Sequence, residues 1–155
     1  MKKWSSLFFF LFLCFSIELI GGWFTSSSVL SWYPTLKKAS FNPPAWVFGP
    51  VWTLLYLMIA LSGWLIFLQP KSSLRSRALT IYGIQLFLNF LWSYFFFFLR
   101  CPLLGLVDIT LLLIFLIWTV ISFWPLSRKA SLLLIPYLLW TAYASILNLF
   151  LFTLN

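Results

Sequence analysis

Histidine is absent from this 155-residue sequence. That removes His-based hydrolytic triads, histidine zinc sites and an imidazole ligand for haem iron. Acids are nearly as scarce. Glu18 and Asp108 are the only two, too few for a carboxylate cage around Ca²⁺ or paired Mg²⁺. No metal site is expected, and no hydrolase signature is present. Charged residues of both signs make up 8% of the chain, whereas a soluble globular domain carries roughly a quarter. The net charge of +8 comes from Lys and Arg in short clusters between apolar runs, a pattern of loop anchoring rather than of a nucleic-acid surface.

What is there instead is 63% hydrophobic residues with 19 Phe and 10 Trp, at a mean hydropathy of +1.05. Five apolar stretches, 5–24, 46–68, 79–99, 103–124 and 132–154, are each long enough to cross about 30 Å of hydrocarbon at about 1.5 Å per residue. In lipid every backbone N–H must be satisfied within its own segment, and these runs do not alternate as barrel strands do. The expected fold is an all-α integral membrane bundle of five helices, forming one domain over 1–155. The long link, 25–45, is polar and carries Ser26-Ser27-Ser28 and Pro43-Pro44, so it is expected to form a lid. Pro43-Pro44 fixes two φ angles and makes a stiff extended elbow into the second span, holding Trp32 and Tyr33 over the bundle mouth. Pro50 and Pro136 fall in opening turns, where a missing N–H costs little.

Basic residues set the orientation. Lys2, Lys3, Lys71, Arg75, Arg77, Arg128 and Lys129 lie on one side, and Lys37, Lys38 and Arg100 on the other. In a bacterial plasma membrane this asymmetry puts the N-terminus in the cytoplasm and the lid outside; a eukaryotic chain would place the bundle in an organelle membrane. Met1-Lys2-Lys3 ahead of 7–15 has the look of a signal peptide, but no A-x-A cleavage site follows and the apolar run continues past Glu18, so the segment is expected to stay as a helix. Cys14 lies about 15 Å inside the first span and Cys101 at the outer end of the third, too far apart for a disulfide.

Glu18 and Asp108 sit inside spans, about 7–9 Å below the outer boundary, where a carboxyl faces the bundle interior or a wet cavity. Each is read either as a proton or ligand site or as a helix-tying carboxyl that is protonated or neighboured by Arg100. Gln85, Asn89, Trp92 and Phe96 share one helical face. Tyr137, Trp140, Thr141, Ala144 and Asn148 share another, and Gly49, Trp52, Tyr56 and Gly63 a third. Each stripe mixes flat aromatics with hydrogen-bonding groups, as the wall of a pocket for a large apolar ligand does; ordinary helix packing gives the same pattern.

Together these residues resemble the TspO family, the translocator-protein or peripheral-type benzodiazepine-receptor family, also called tryptophan-rich sensory proteins. The carriers are Trp32-Tyr33-x-x-Leu36-Lys37, then Asn42-Pro43-Pro44-x-Trp46-Val47-Phe48-Gly49-Pro50-Val51-Trp52-x-x-Leu55-Tyr56, and Asn89-x-x-Trp92-Ser93-x-x-Phe96. Leu106-Val107-Asp108-Ile109 and Pro136-Tyr137-Leu138-Leu139-Trp140-x-x-Tyr143-Ala144-x-x-Leu147-Asn148 complete the set. The resemblance implies a homodimeric five-helix membrane protein with a pocket beneath the first loop for porphyrins (protoporphyrin or haem) and isoquinoline-type drugs. It assigns Tyr33 and Pro43 to the lid, and Trp52, Tyr56, Asn89, Trp92, Trp140 and Ala144 to the pocket walls. It also implicates Trp52 and Trp140 in photo-oxidative porphyrin breakdown. Two departures stand out. The family's Lys-Pro and following Trp in the first loop read Lys37-Lys38-Ala39-Ser40-Phe41 here. The cholesterol-recognition pattern of animal members is missing too, since 147–155 has neither Tyr nor a basic residue; the matches at Leu30-Tyr33-Lys37 and Leu91-Tyr94-Arg100 show how loose that pattern is.

Three functions remain open on these residues. One is a receptor that senses, sequesters or moves a tetrapyrrole, with Lys37, Lys38 or Arg100 meeting its propionates and no cofactor required. Another is a light- and oxygen-dependent porphyrin-degrading enzyme. The third is a membrane scaffold with an incidental pocket.

Overall fold

The computed structural model describes residues 3–155; Met1 and Lys2, the latter one of the basic residues counted for orientation, lie outside that range. It is all helical, with no strand among the described residues. The helices are α1 (Lys3–Ser31), α2 (Phe48–Phe67), α3 (Ser73–Ser93), α4 (Pro102–Phe123), α5 (Arg128–Leu133) and α6 (Ile135–Leu154). Because α5 runs into α6, they make five helices long and apolar enough to cross a membrane. The protein is an integral, multi-pass, five-helix bundle.

α1 continues well past the expected end at 24. The polar run 25–31 satisfies its own hydroxyls inside the helix: Thr25 Oγ1 donates to Gly21 O at 2.7 Å, Ser26 Oγ to Trp23 O at 2.9 Å and Ser31 Oγ to Ser27 O at 2.5 Å. Ser28 Oγ reaches across to Phe97 O at 2.6 Å. Ser and Thr favour loops when their hydroxyls compete for backbone groups, and here that competition is resolved within the helix. The lid is therefore 32–44 rather than 25–45. It holds a 3₁₀ turn at Tyr33–Thr35 and ends on Pro44, whose φ of −57° and ψ of 144° form the extended elbow before a second 3₁₀ turn, Ala45–Val47. This also moves Glu18. It lies 13 residues from the end of α1, about 20 Å along the axis, near the middle of the span rather than just below its outer edge.

α3 starts earlier than expected because Ser72 caps it, its Oγ accepting the Arg75 N–H at 3.1 Å. It ends in a π turn, Tyr94–Phe98, and the chain reverses at Arg100 with φ of 52°. In the last span helicity begins at Arg128, capped by Ser127, and breaks at Leu134 because Pro136 has no N–H to donate. Cross-links hold that end of the bundle: Ser62 Oγ donates to Ala130 O at 2.7 Å and Ser131 Oγ to Val120 O at 2.8 Å. Below the middle, α1 and α2 meet α3 closely. A Cβ on Gly63 would stand 2.5 Å from the Tyr82 ring and 2.8 Å from Phe10. Towards the lid the same helices separate.

Candidate ligand cavity

That separation leaves a cavity of about 450 Å³, within the ~300–1,000 Å³ range of small-molecule sites. Its walls come from α1, α2, α3 with its π turn, and α6, and Tyr33 of the lid closes it above. The α2 stripe supplies Phe48, Gly49, Trp52 and Tyr56. Trp52 lies 5.8 Å from Tyr56 and 6.5 Å from Trp92, ring centre to ring centre. The α3 stripe supplies Asn89, Trp92 and Phe96, with Phe96 stacked on Trp92 at 5.3 Å and 14°. The π turn explains why Phe97 joins them. Its i→i+5 bonding widens the turn, so a residue five places past Trp92 swings towards the same side, and Phe97 meets the Trp92 indole edge-on at 5.7 Å.

The floor is a hydrogen-bonded chain. Tyr56 OH donates to Asn89 Oδ1, Asn89 Nδ2 donates to Tyr137 OH at 2.6 Å, and Tyr137 OH donates to Gln85 Oε1 at 3.1 Å. It fixes the Asn89 amide and the Tyr56 ring in one arrangement, since each buried group depends on its neighbour. On the far wall Trp92 Nε1 donates to Asn148 Oδ1 at 3.0 Å, and Asn148 Nδ2 to Pro102 O at 2.9 Å, joining α3, α6 and α4 behind the cavity.

The lid is pinned at several points. Tyr33 OH donates to Asn42 Oδ1 at 3.1 Å, and the Lys38 amino group sits 4.7 Å above the Tyr33 ring. Burial pushes the Tyr33 phenol above its usual range, a shift the Asn42 hydrogen bond opposes. The Asn155 amide clasps Lys37 through both backbone groups at 2.9 Å. Phe41 packs on Phe150 and Tyr143, and its carbonyl accepts the Tyr143 hydroxyl at 2.7 Å.

Of the residues singled out in the sequence, Tyr33, Trp52, Tyr56, Asn89, Trp92 and Ala144 are brought together on the cavity wall. Pro43 and Trp140 are not. Pro43 shapes the lid, its carbonyl taking the Asn42 Nδ2 hydrogen at 3.0 Å. Trp140 lies one ring behind the wall, 6.0 Å from Phe48, with its indole N–H buried and unpartnered. Helical periodicity put Trp140 on the α6 stripe, but that stripe is wider than the exposed strip of wall. The proposed propionate partners are elsewhere too: among the described residues no Lys or Arg lines the cavity. Arg100 donates to Ser28 Oγ at 3.2 Å and Ser31 Oγ at 3.4 Å, tying the π turn to the end of α1 instead of neighbouring Asp108. Asp108 is buried, and its Oδ2 has no partner. Cys14 and Cys101 are free thiols.

The wall that the sequence reading missed is α1. Beside Glu18, which the sequence marks as a carboxyl facing the interior or a wet cavity, Gly21, Gly22, Thr25, Ser26 and Val29 contribute, and the spacing of three and four is the signal that marks one face. The run of small and hydroxyl residues, Gly21-Gly22 and Thr25 to Ser28, reads as the end of the span rather than as a wall. Thr53 on α2 was missed likewise; it donates to Glu18 Oε1 at 2.5 Å.

Comparison with known proteins agrees with this architecture. Residues 9–154 match the model of the TspO/MBR family. The chain is 41% identical over 150 residues to a tryptophan-rich protein TspO of Chlorobaculum tepidum, covering 92% of this chain and 91% of that one. It is 34% identical over 132 residues to the Homo sapiens translocator protein (83% and 78% covered). With a tryptophan-rich sensory protein of Cereibacter sphaeroides it shares 35% identity over 117 residues (76% and 72%). A five-helix membrane bundle whose sequence matches one family model over nearly its whole length has a settled ancestry: the chain belongs to the TspO/MBR family.

Proposed function

We propose that this membrane protein is a receptor for a large, flat, mostly apolar ligand of the tetrapyrrole class, which it senses, sequesters or moves. The observation that carries the reading is the cavity itself, with indole, phenol and phenyl faces on its walls, two fixed amides and a pinned aromatic lid. Flat aromatics with a few convergent polar groups suit a macrocycle that stacks over its faces and is oriented at its edge. The names sensory protein and translocator protein borne by relatives fit a receptor-like role. Titration of the detergent-solubilised protein with protoporphyrin, followed by quenching of tryptophan fluorescence, tests it. Trp92→Ala is expected to weaken binding about tenfold relative to the outward-facing control Leu139→Ala, through loss of a stacked indole; equal affinities would remove the ligand from this cavity.

Light- and oxygen-dependent breakdown of bound porphyrin is a second reading, favoured by one observation: the Trp52 and Trp92 indoles, readily oxidised groups, both face the cavity 6.5 Å apart. Bleaching of bound protoporphyrin under light and air no faster than in empty micelles removes this reading and leaves the receptor. The basic asymmetry supports a cytoplasmic N-terminus with the lid outside, and the family resemblance supports a homodimer, checked by the mass of the protein–detergent complex in light scattering.

A further inference from the structure

The cavity wall carries one formal charge. Ten basic residues and two acids are present in the sequence, yet Glu18 is the single charged side chain that lines the cavity. Its Oε1 accepts the Thr53 hydroxyl at 2.5 Å, which joins α1 to α2 and fixes the carboxyl. Oε2 takes no hydrogen bond among the described residues. Gly22 of α1 and Gly49 of α2 line the same cavity, and a Cβ at either would meet nothing within 4 Å, so the wall that carries the carboxyl has room for a ligand. Trp52, Tyr56 and Trp92 line the same cavity as Thr53, with Trp52 5.8 Å from Tyr56 and 6.5 Å from Trp92.

A carboxyl at membrane depth without a cation is costly. A ligand that brings a positive nitrogen recovers part of that cost through a charge-assisted hydrogen bond, and the negative π faces of the adjoining indoles and phenol add to the attraction. An anionic group there meets repulsion, with no Lys or Arg on the wall to offset it. We propose that Glu18, positioned by Thr53, is the recognition group for a cationic or N–H-donating nitrogen on a flat apolar ligand, so that the cavity selects lipophilic amines over neutral or anionic molecules of the same shape. The inference rests on the reading of this cavity as the ligand site and sharpens which ligands it takes.

The test uses three fluorescent probes of one shape, pyrenemethylamine, pyrenemethanol and pyrenecarboxylate. Their binding to the full-length protein in a non-ionic detergent at neutral pH is read by energy transfer from tryptophan, with empty micelles subtracted. The wild type is expected to bind the amine about tenfold more tightly than the alcohol, and the carboxylate most weakly. Glu18→Gln brings the amine-to-alcohol ratio to about one, while Glu18→Asp, which keeps the charge, retains a preference for the amine. An amine-to-alcohol ratio near one in the wild type overturns the proposal, whether or not the variants fold. So does an unchanged ratio in Glu18→Gln. Protoporphyrin competition separates the two readings. A Glu18-dependent amine preference that protoporphyrin does not displace sinks the tetrapyrrole reading and upholds this one; protoporphyrin binding in the cavity with no amine preference does the reverse.

Discussion

Asn89 is the residue on which the cavity floor turns, because it accepts from Tyr56 and donates to Tyr137 in the same plane. Replacing it by Leu leaves the buried Tyr56 hydroxyl without its acceptor and the Tyr137 hydroxyl with Gln85 alone. Asn89→Leu is expected to lower stability by about 1–3 kcal/mol and to weaken protoporphyrin binding, as read by thermal unfolding and fluorescence titration of the solubilised protein. An unfolding midpoint equal to the wild type would mean that water or a rotated Tyr137 takes over the bonds. Gly63 is the counterpart in packing. Its Cβ position lies inside the contact distance of Tyr82 and Phe10, so Gly63→Ala is expected to cost about 1–3 kcal/mol, while Gly83→Ala, where a Cβ meets nothing within 4 Å, is expected to be neutral. Asn89, Trp92 and Tyr56 were legible in the sequence because a polar or amphipathic group on an apolar helix has few places to go. Trp140 was not, since periodicity names a face but cannot say how much of that face a neighbouring ring such as Phe48 covers.

Among the elements, the lid covers the cavity with Tyr33, and its fastening is the Asn155 amide bridging both backbone groups of Lys37. Asn155→Ala removes two exposed hydrogen bonds, each worth about 0.5–1.5 kcal/mol. Ligand dissociation in stopped-flow is expected to quicken several-fold while the unfolding midpoint stays put. An unchanged dissociation rate would show that the lid does not limit release. The end of α1 was the element least legible in advance. Ser26-Ser27-Ser28 looks like loop by composition, and only the geometry of hydroxyls bonding back to carbonyls one turn below, with Arg100 and Phe97 across the way, shows why the helix runs to Ser31. The π turn was equally hidden, since it arises from how Tyr94–Phe98 meets the reversal at Arg100 rather than from any residue preference.

For the molecule as a whole, five spans follow from hydropathy alone, because the bilayer leaves the backbone no other arrangement. The proposed orientation rests on the basic residues, among them Arg75, Arg77 and Arg128 in the opening turns of α3 and α5. In a variant lacking Cys14 and Cys101, a cysteine at Ser40 is expected to react with an impermeant reagent from outside and one at Ser73 from inside; the reverse pattern contradicts the asymmetry. What hydropathy could not supply is where the bundle opens, at a gap lined by Gly22 of α1 and Gly49 of α2. That gap makes the most direct measurement possible. Gly49 borders the cavity, and a Cβ there meets nothing within 4 Å, so Gly49→Leu is expected to add bulk at the cavity without a clash at its first carbon. Protoporphyrin titration of Gly49→Leu is predicted to show affinity at least about tenfold below the wild type, with an unfolding midpoint no lower. Wild-type affinity in that variant would contradict the claim that this cavity is where the ligand binds.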